Sequence, residues 1–277
     1  MSVDALAVYR GMDIGTAKPT RAADPACRHC WHLVDLVEPS EEFSVALFQA
    51  AGEKVLAGLH AEARPALLVG GTGLYHRALL DGLQLPEQYP EIRRRLYEEG
   101  RRPGGPVRLH ARLASLDPVA AGRMEPFNLR RVVRALEVTE GSGRPFSRFG
   151  PGLESYQETA TVLVGLRLER AELDRRLEAR LDEQLAEGFL EEVARLASRP
   201  GGLSRTARQA IGYAELLAHL EGTLSLEEAR VATLRRLRRF ARRQEAWFRR
   251  DPRVHWLSAS APDLVGQVLE RWETSPS

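Results

Sequence analysis

Hydrophobic side chains recur along the chain with two periods, and the switches between them mark its elements. Over residues 43–60 apolar positions return at helical intervals behind Ser40-Glu-Glu42, which predicts a helix ended before Arg64-Pro65. Ala66-Leu-Leu-Val69 is short and wholly apolar, the pattern of a strand buried on both faces. Gly70-Gly-Thr-Gly73 separates it from a helical stretch over 74–80; such a turn can aim backbone N–H groups at an anion or serve close helix–sheet packing. Thr161-Val-Leu-Val-Gly-Leu-Arg-Leu168 predicts a second strand. Leu173, Leu177, Leu181 and Leu185 follow as the stripe of an amphipathic helix, interrupted at Gly188 and stopped at Pro200-Gly-Gly202. Gln209 to Tyr213 opens a further helix. Ser225-Leu-Glu-Glu228 is a capping-box start for a long one with Leu234, Leu237, Ala241 and Phe248 on one face, and Val254-His-Trp-Leu257 predicts a last strand before a short terminal helix.

Between Pro86 and Gln157 the pattern changes to short, charged helical stretches broken by Pro90, Pro103-Gly-Gly-Pro106, Pro118 and Pro126. Residues 87–156 are therefore read as an inserted helical subdomain, and residues 1–86 with 157–277 as an α/β core with C-terminal helices. At 277 residues and 43% hydrophobic content the chain can bury a substantial core.

The net charge of +2 conceals clusters of arginine at 93–95, at Arg130, Arg131 and Arg134, and over 235–250. Clusters rather than net charge are what a nucleic acid feels. Arg130 and Arg134 share a helix face. On the long helix, Arg235, Arg236, Arg238, Arg239, Arg242 and Arg243 have Glu245 as their nearby acid in sequence, so they predict a positive ridge able to hold several phosphates. No apolar run approaches the roughly eighteen residues of a membrane span, and no basic region precedes an apolar leader, so a cytoplasmic protein without a membrane partner is expected. Cys27 and Cys30 lie in Cys-Arg-His-Cys-Trp-His, where four ligands cannot readily converge on one zinc ion; no metal site is expected there.

The densest candidate chemistry is at the start. Asp4 follows Val3 as a carboxylate at a strand end, Gly11 and Gly15 permit tight backbone paths, and Thr16 and Lys18-Pro19 close the segment, which suggests a binding loop. The residues alone favour the plainer reading, in which Asp4 caps a turn and Lys18 is a solvated charge.

Ser2-Val-Asp-Ala5 followed by Tyr9-Arg-Gly-Met-Asp-Ile-Gly-Thr-Ala-Lys-Pro19 closely resembles the tRNA dimethylallyltransferase family. Leu68-Val-Gly-Gly-Thr-Gly-Leu-Tyr75, Arg131-Val-Val-Arg-Ala-Leu-Glu-Val138, Gln209-Ala-Ile-Gly-Tyr213, Ala241-Arg-Arg-Gln-Glu-Ala-Trp-Phe248 and Val254-His-Trp-Leu257 resemble further blocks of that family in its order. The resemblance implies a P-loop kinase-like parallel sheet carrying the inserted subdomain. It also implies transfer of a dimethylallyl group from dimethylallyl diphosphate to the exocyclic amine of the adenine 3′-adjacent to the anticodon. Asp4 is then the catalytic base. Asp4, Ala5, Leu6, Ala7 and Thr72 contact the substrate tRNA, and Arg94, Arg130, Arg131, Val132, Val133, Arg134, Arg242 and Arg243 hold its anticodon arm. Thr16, Lys18, Arg208 and Gln209 meet the diphosphate, with Mg2+ as cofactor, and a monomer is expected. Ala5 and Ala7 stand where the family carries serine and often glutamine, so recognition there is weaker or made through the backbone.

The family also carries a strand and a G-x-x-x-x-G-K-[ST] loop about thirty residues ahead of the Asp4 position, and no such loop occurs in this sequence. Without them the apolar strands at 66–69 and 161–168 would have unpaired edges. The expectation is that the frame upstream of Met1 encodes both, and that this chain alone is poorly soluble and inactive. Two rivals stand beside the transferase: a non-catalytic tRNA-binding remnant, and an isopentenyltransferase acting on a free adenine nucleotide. A mononucleotide needs neither the arginine ridge nor the inserted subdomain.

Overall fold

The computed structural model describes residues 1–19, 31–150, 152–153 and 155–274. In chain order the helices are α1 (Val45–Ala61), α2 (Gly73–Leu80), α3 (Pro90–Gly100), α4 (Gly105–Leu116), α5 (Pro118–Gly122) and α6 (Leu129–Ser142). Strand β1 (Leu163–Arg167) precedes α7 (Arg170–Ala186), α8 (Phe189–Ala197), α9 (Tyr213–Leu220) and α10 (Leu226–Phe248), and β2 (Val254–Ser258) precedes α11 (Leu264–Glu273). Met1–Leu80 with Glu158–Ser277 form one compact unit and Asp81–Gln157 a second.

In the first unit β1 and β2 pair in parallel, Leu163 opposite Val254 through Arg167 opposite Ser258. Ser2 and Val69 form an isolated parallel bridge, as do Tyr9 and Val37. The core gathers Val8, Tyr9 and Met12 from the first loop, Phe48 from α1, Tyr75 from α2, Phe189 and Leu196 from α8 and Tyr213 from α9. Ser44 caps α1 by accepting from the Leu47 N–H, and α10 opens on a reciprocal box in which Ser225 and Glu228 accept each other's backbone N–H.

The stretch 66–69 departs from the pattern read in the sequence. Ala66 and Leu68 pack on the core, whereas Leu67 is 62% and Val69 47% exposed. Burial on both faces needs a covering layer on each, and among the described residues only one face has one, so the side chains alternate in and out like those of a half-buried strand. Its hydrogen bonds run to the chain start: the Met1 amino group donates to Leu67 O, Val69 N to Met1 O, and Val3 N to Val69 O.

In the second unit α3, α4 and α6 enclose Leu96, Leu109, Leu113, Val132, Val133 and Leu136. Val132 and Val133 are 0% and 1% exposed and form part of the apolar face of α6. Glu137 is fully buried beside them; it accepts from Tyr89 N at 2.7 Å and pairs with Arg134 at 3.0 Å. Arg134 also donates to the carbonyls of Pro86 at 2.7 Å and Glu87 at 3.1 Å. Its guanidinium thus ties the 86–89 segment onto α6.

Candidate active site

The site is built where the first residues meet the glycine turn that precedes α2. Val3, wholly buried, donates its N–H to Val69 O at 2.8 Å and accepts from Thr72 N at 3.4 Å. A Cβ on Gly70 would fall 2.2 Å from Val3 O, so only glycine permits this approach. Thr72 Oγ1 accepts the Ala5 N–H at 3.2 Å, which sets the threonine hydroxyl beside the Asp4 turn. Asp4, partly buried, accepts from Leu6 N at 2.7 Å and Ala7 N at 3.2 Å, both on Oδ1. Turn cap and chemical group coexist in this residue: Oδ1 folds the turn, and Oδ2 has no protein partner among the described residues.

Ala7 is 2% exposed, its N–H goes to Asp4, and its carbonyl accepts from Asp35 N, so neither side chain nor backbone is offered to a ligand. Ala5 and Leu6 are partly buried against the core. The Thr72 N–H, which the sequence allowed to face an anion, is taken by Val3 O.

The loop over 9–18 is filled by the protein's own charges. Lys18 is buried, and its ammonium donates to Tyr9 O at 2.6 Å, Asp13 Oδ1 at 2.8 Å and Asp35 Oδ1 at 2.6 Å. Those are all the hydrogens an ammonium has. Thr16 Oγ1 donates to Met12 O at 2.6 Å. Glu192 of α8, 3% exposed, accepts from the N–H groups of Asp13 at 2.8 Å, Ile14 at 2.9 Å and Gly15 at 3.2 Å, and from the Tyr213 hydroxyl at 2.5 Å. Burial first, then the Glu192 charge and hydrogen bond, push the Tyr213 phenol well above its ordinary value. A Cβ on Gly15 would lie 2.1 Å from the Phe189 ring. The geometry therefore makes Lys18 and Thr16 internal clamps of this loop.

Arg208 and Gln209 are exposed on a turn whose backbone is fixed from below. Arg236 donates to Gln209 O at 2.9 Å and to Glu215 at 2.6 Å, and Glu215 accepts the N–H of Gly212, whose φ of +93° favours glycine. These two remain available to an anion.

The arginine ridge is narrower than its sequence. Arg230 pairs with Asp182 and Glu178, and Arg238 lies 3.8 and 3.7 Å from Asp174 and Glu178, all acids of α7. Arg235, Arg239, Arg242 and Arg243 stay exposed without a carboxylate partner among the described residues, and their spacing puts them on one face of α10. In the second unit Arg130 and Arg131 are exposed and have no carboxylate partner among the described residues, whereas Arg94 pairs with the exposed Glu91. The described residues contain no group of three or more His, Cys, Asp or Glu able to hold a metal ion, and Cys27 and Cys30 lie outside them. No helix among them is long and apolar enough to cross a membrane.

Residues 7–251 match the family model described as IPP transferase. The chain is 47% identical over 274 residues to the tRNA dimethylallyltransferase of Kineococcus radiotolerans, covering 98% of this chain and 85% of that protein. It is 41% identical over 276 residues to that of Desulforudis audaxviator, covering 97% and 88%. Among solved structures, the full-length tRNA isopentenylpyrophosphate transferase of Bacillus halodurans superposes with a TM-score of 0.67 at 36% identity, over 98% of this chain and 85% of that one. A eukaryotic dimethylallyltransferase acting on tRNA gives a TM-score of 0.70 at 22% identity, over 99% and 69%, and shares the fold.

Proposed function

The chain belongs to the IPP transferase family, and from that premise we propose that it transfers a dimethylallyl group from dimethylallyl diphosphate to N6 of the adenine 3′-adjacent to the anticodon of tRNA. The observation that carries this reading is the Asp4 carboxylate with one oxygen unspent, held beside the Thr72 hydroxyl. An exocyclic amine is a weak nucleophile because its lone pair is delocalised into the ring, so a base that takes its proton as the bond forms lowers the barrier. The C1–O bond of the diphosphate breaks, the N6–C1 bond forms, and the N6 proton passes to Asp4 Oδ2. The leaving diphosphate concentrates negative charge, for which Arg208 and Gln209 are the exposed candidates. Mg2+ belongs with it; lacking a carboxylate cluster, the described residues fit an ion carried mainly by the diphosphate oxygens, where it would neutralise charge.

The adenine has to leave its stack before N6 can be reached, as with other base-modifying enzymes. Arg130 and Arg131 in one unit and the exposed arginine face of α10 in the other would hold the phosphates of the anticodon arm. The protein acts in the cytoplasm as a monomer. Incubating a form that carries the expected upstream strand and phosphate loop with tRNA and labelled dimethylallyl diphosphate tests the reading: label should appear on the base 3′-adjacent to the anticodon. Label on free adenine nucleotide would favour the small-molecule rival, and tight tRNA binding without transfer the non-catalytic one.

Replacing Arg130 and Arg131 together with Ala is expected to weaken tRNA binding and flatten its log–log salt dependence by about 1.4–1.8, since each phosphate contact contributes about 0.7–0.9. Filter binding at several salt concentrations measures this, and an unchanged slope would assign both arginines to solvent.

A further inference from the structure

We infer that Gln244 is a positioning residue for the transfer, acting on Thr72 and Asp4 through the glycine turn at 70–73; the inference rests on the reading of Asp4 and Thr72 given above. Three of the four residues in that turn are glycine, so its backbone has unusual freedom and little of its own to fix it. Its bonds to the chain start are long, 3.4 Å from Thr72 N to Val3 O and 3.2 Å from Ala5 N to Thr72 Oγ1. Shorter bonds come from side chains outside it. Gln244 Nε2 donates to Gly71 O at 3.0 Å, and His76 Nε2 stands 3.0 Å from Gly70 O, an acceptor that selects the Nε2–H tautomer.

The glycines record how tightly α10 closes on the turn. A Cβ on Gly71 would lie 2.1 Å from Gln244 Nε2, and one on Gly73 would lie 2.1 Å from the Trp247 indole. Gln244, Trp247 and Phe248 are spaced i, i+3, i+4, so a single face of the helix makes the contact. Phe248 completes it by meeting the His76 ring edge-on, with centroids 5.7 Å apart. Val3 meets the turn at Gly70, and α10 meets it at Gly71 and Gly73 on either side of Thr72 in the chain. Packing alone would be served by an apolar residue at 244. A partly buried amide spent on one backbone carbonyl instead fixes the direction of the Gly71–Thr72 peptide.

Two variants separate this from simple support. Gln244→Glu keeps the shape, but at neutral pH it sets a carboxylate against a carbonyl with no hydrogen to donate; once protonated, its O–H can donate again. Gln244→Leu never can. Both are expected to lower kcat about 10–100-fold while tRNA Kd changes less than about 3-fold, because no phosphate contact is lost. As pH falls through the carboxyl range the activity of Gln244→Glu relative to the parent should rise, and that of Gln244→Leu should not. Hydrogen–deuterium exchange of peptides covering residues 2–7 and 68–76 should quicken in both at neutral pH, a readout independent of transfer. Unchanged exchange, or variant-to-parent ratios that stay flat with pH in both, overturns the inference. Quickened exchange in a protein that transfers nothing to tRNA would instead keep the clamp and refute the functional reading.

Discussion

Asp4→Asn is expected to lower prenyl transfer by roughly 10²–10⁴ while leaving tRNA affinity within a few-fold. The geometry makes this a clean substitution. Oδ1 alone accepts the N–H groups of Leu6 and Ala7, at 2.7 and 3.2 Å, and an asparagine amide presents the same carbonyl oxygen in the same place. The turn, the Ala5 bond to Thr72 and the approach of Val3 to Gly70 all persist. What changes is the second oxygen, replaced by an NH₂ group that donates and cannot take a proton. Asp4→Ala, by contrast, strips the turn of its acceptor, so its effect would mix folding with chemistry. Single-turnover transfer measured beside tRNA binding separates the two: equal rates in Asn variant and parent would remove Asp4 from the reaction.

The parts of this site that could be read from sequence are those made by short segments. The α/β class, the helices α1, α2 and α10 and both strands of the parallel pair follow from period and capping, because the forces that form them act within a few residues. Asp4 was singled out by its place after Val3 and Thr72 by the family resemblance, and the bridge of Ser2 to Val69 brings their two segments together. The internal bonds of Lys18 and Thr16 were not legible, because a charge in a glycine loop looks alike whether it faces a ligand or its own fold. The difference lies in Asp35 and Glu192, and nothing local announces that Glu192 crosses to the first loop. One signal was present. Phe189, Glu192, Val193 and Leu196 fall on one face of α8, so an acid interrupts an apolar stripe, where it must find buried donors. Glu137 interrupts the stripe of Val133 and Leu136 on α6 in the same way, and it holds Arg134. The α10 ridge shrank for the opposite reason: the partners of Arg238, Asp174 and Glu178, sit on the polar face of α7, where helical period predicts exposure and says nothing of a neighbour.

Glu192→Ala is expected to destabilise the protein by about 3–5 kcal/mol. Three backbone N–H groups and the Tyr213 hydroxyl lose their acceptor together. Each buried group left unpaired costs about 1–3 kcal/mol, of which water entering the space recovers part. Against a total stability of roughly 5–15 kcal/mol that is a large share, and the urea midpoint should fall by about 1–2.5 M at an m-value of about 2–3 kcal/mol/M. The alkaline limb of stability carries a second signature. Burial raises the phenols of Tyr9, Tyr75 and Tyr213 above their ordinary value of 10.0 in the folded protein. Above that pH the unfolded chain therefore releases protons that the folded chain retains, so stability is full below it and declines as pH rises further. Glu192 contributes to this at Tyr213 through its charge and hydrogen bond, so the alanine variant should start less stable yet lose stability less steeply above pH 10. Urea titrations between neutral pH and pH 11 measure both. An unshifted midpoint at neutral pH would mean that the first loop is held by Lys18 alone, and a parallel alkaline decline in variant and parent would mean that burial, without Glu192, sets the Tyr213 phenol.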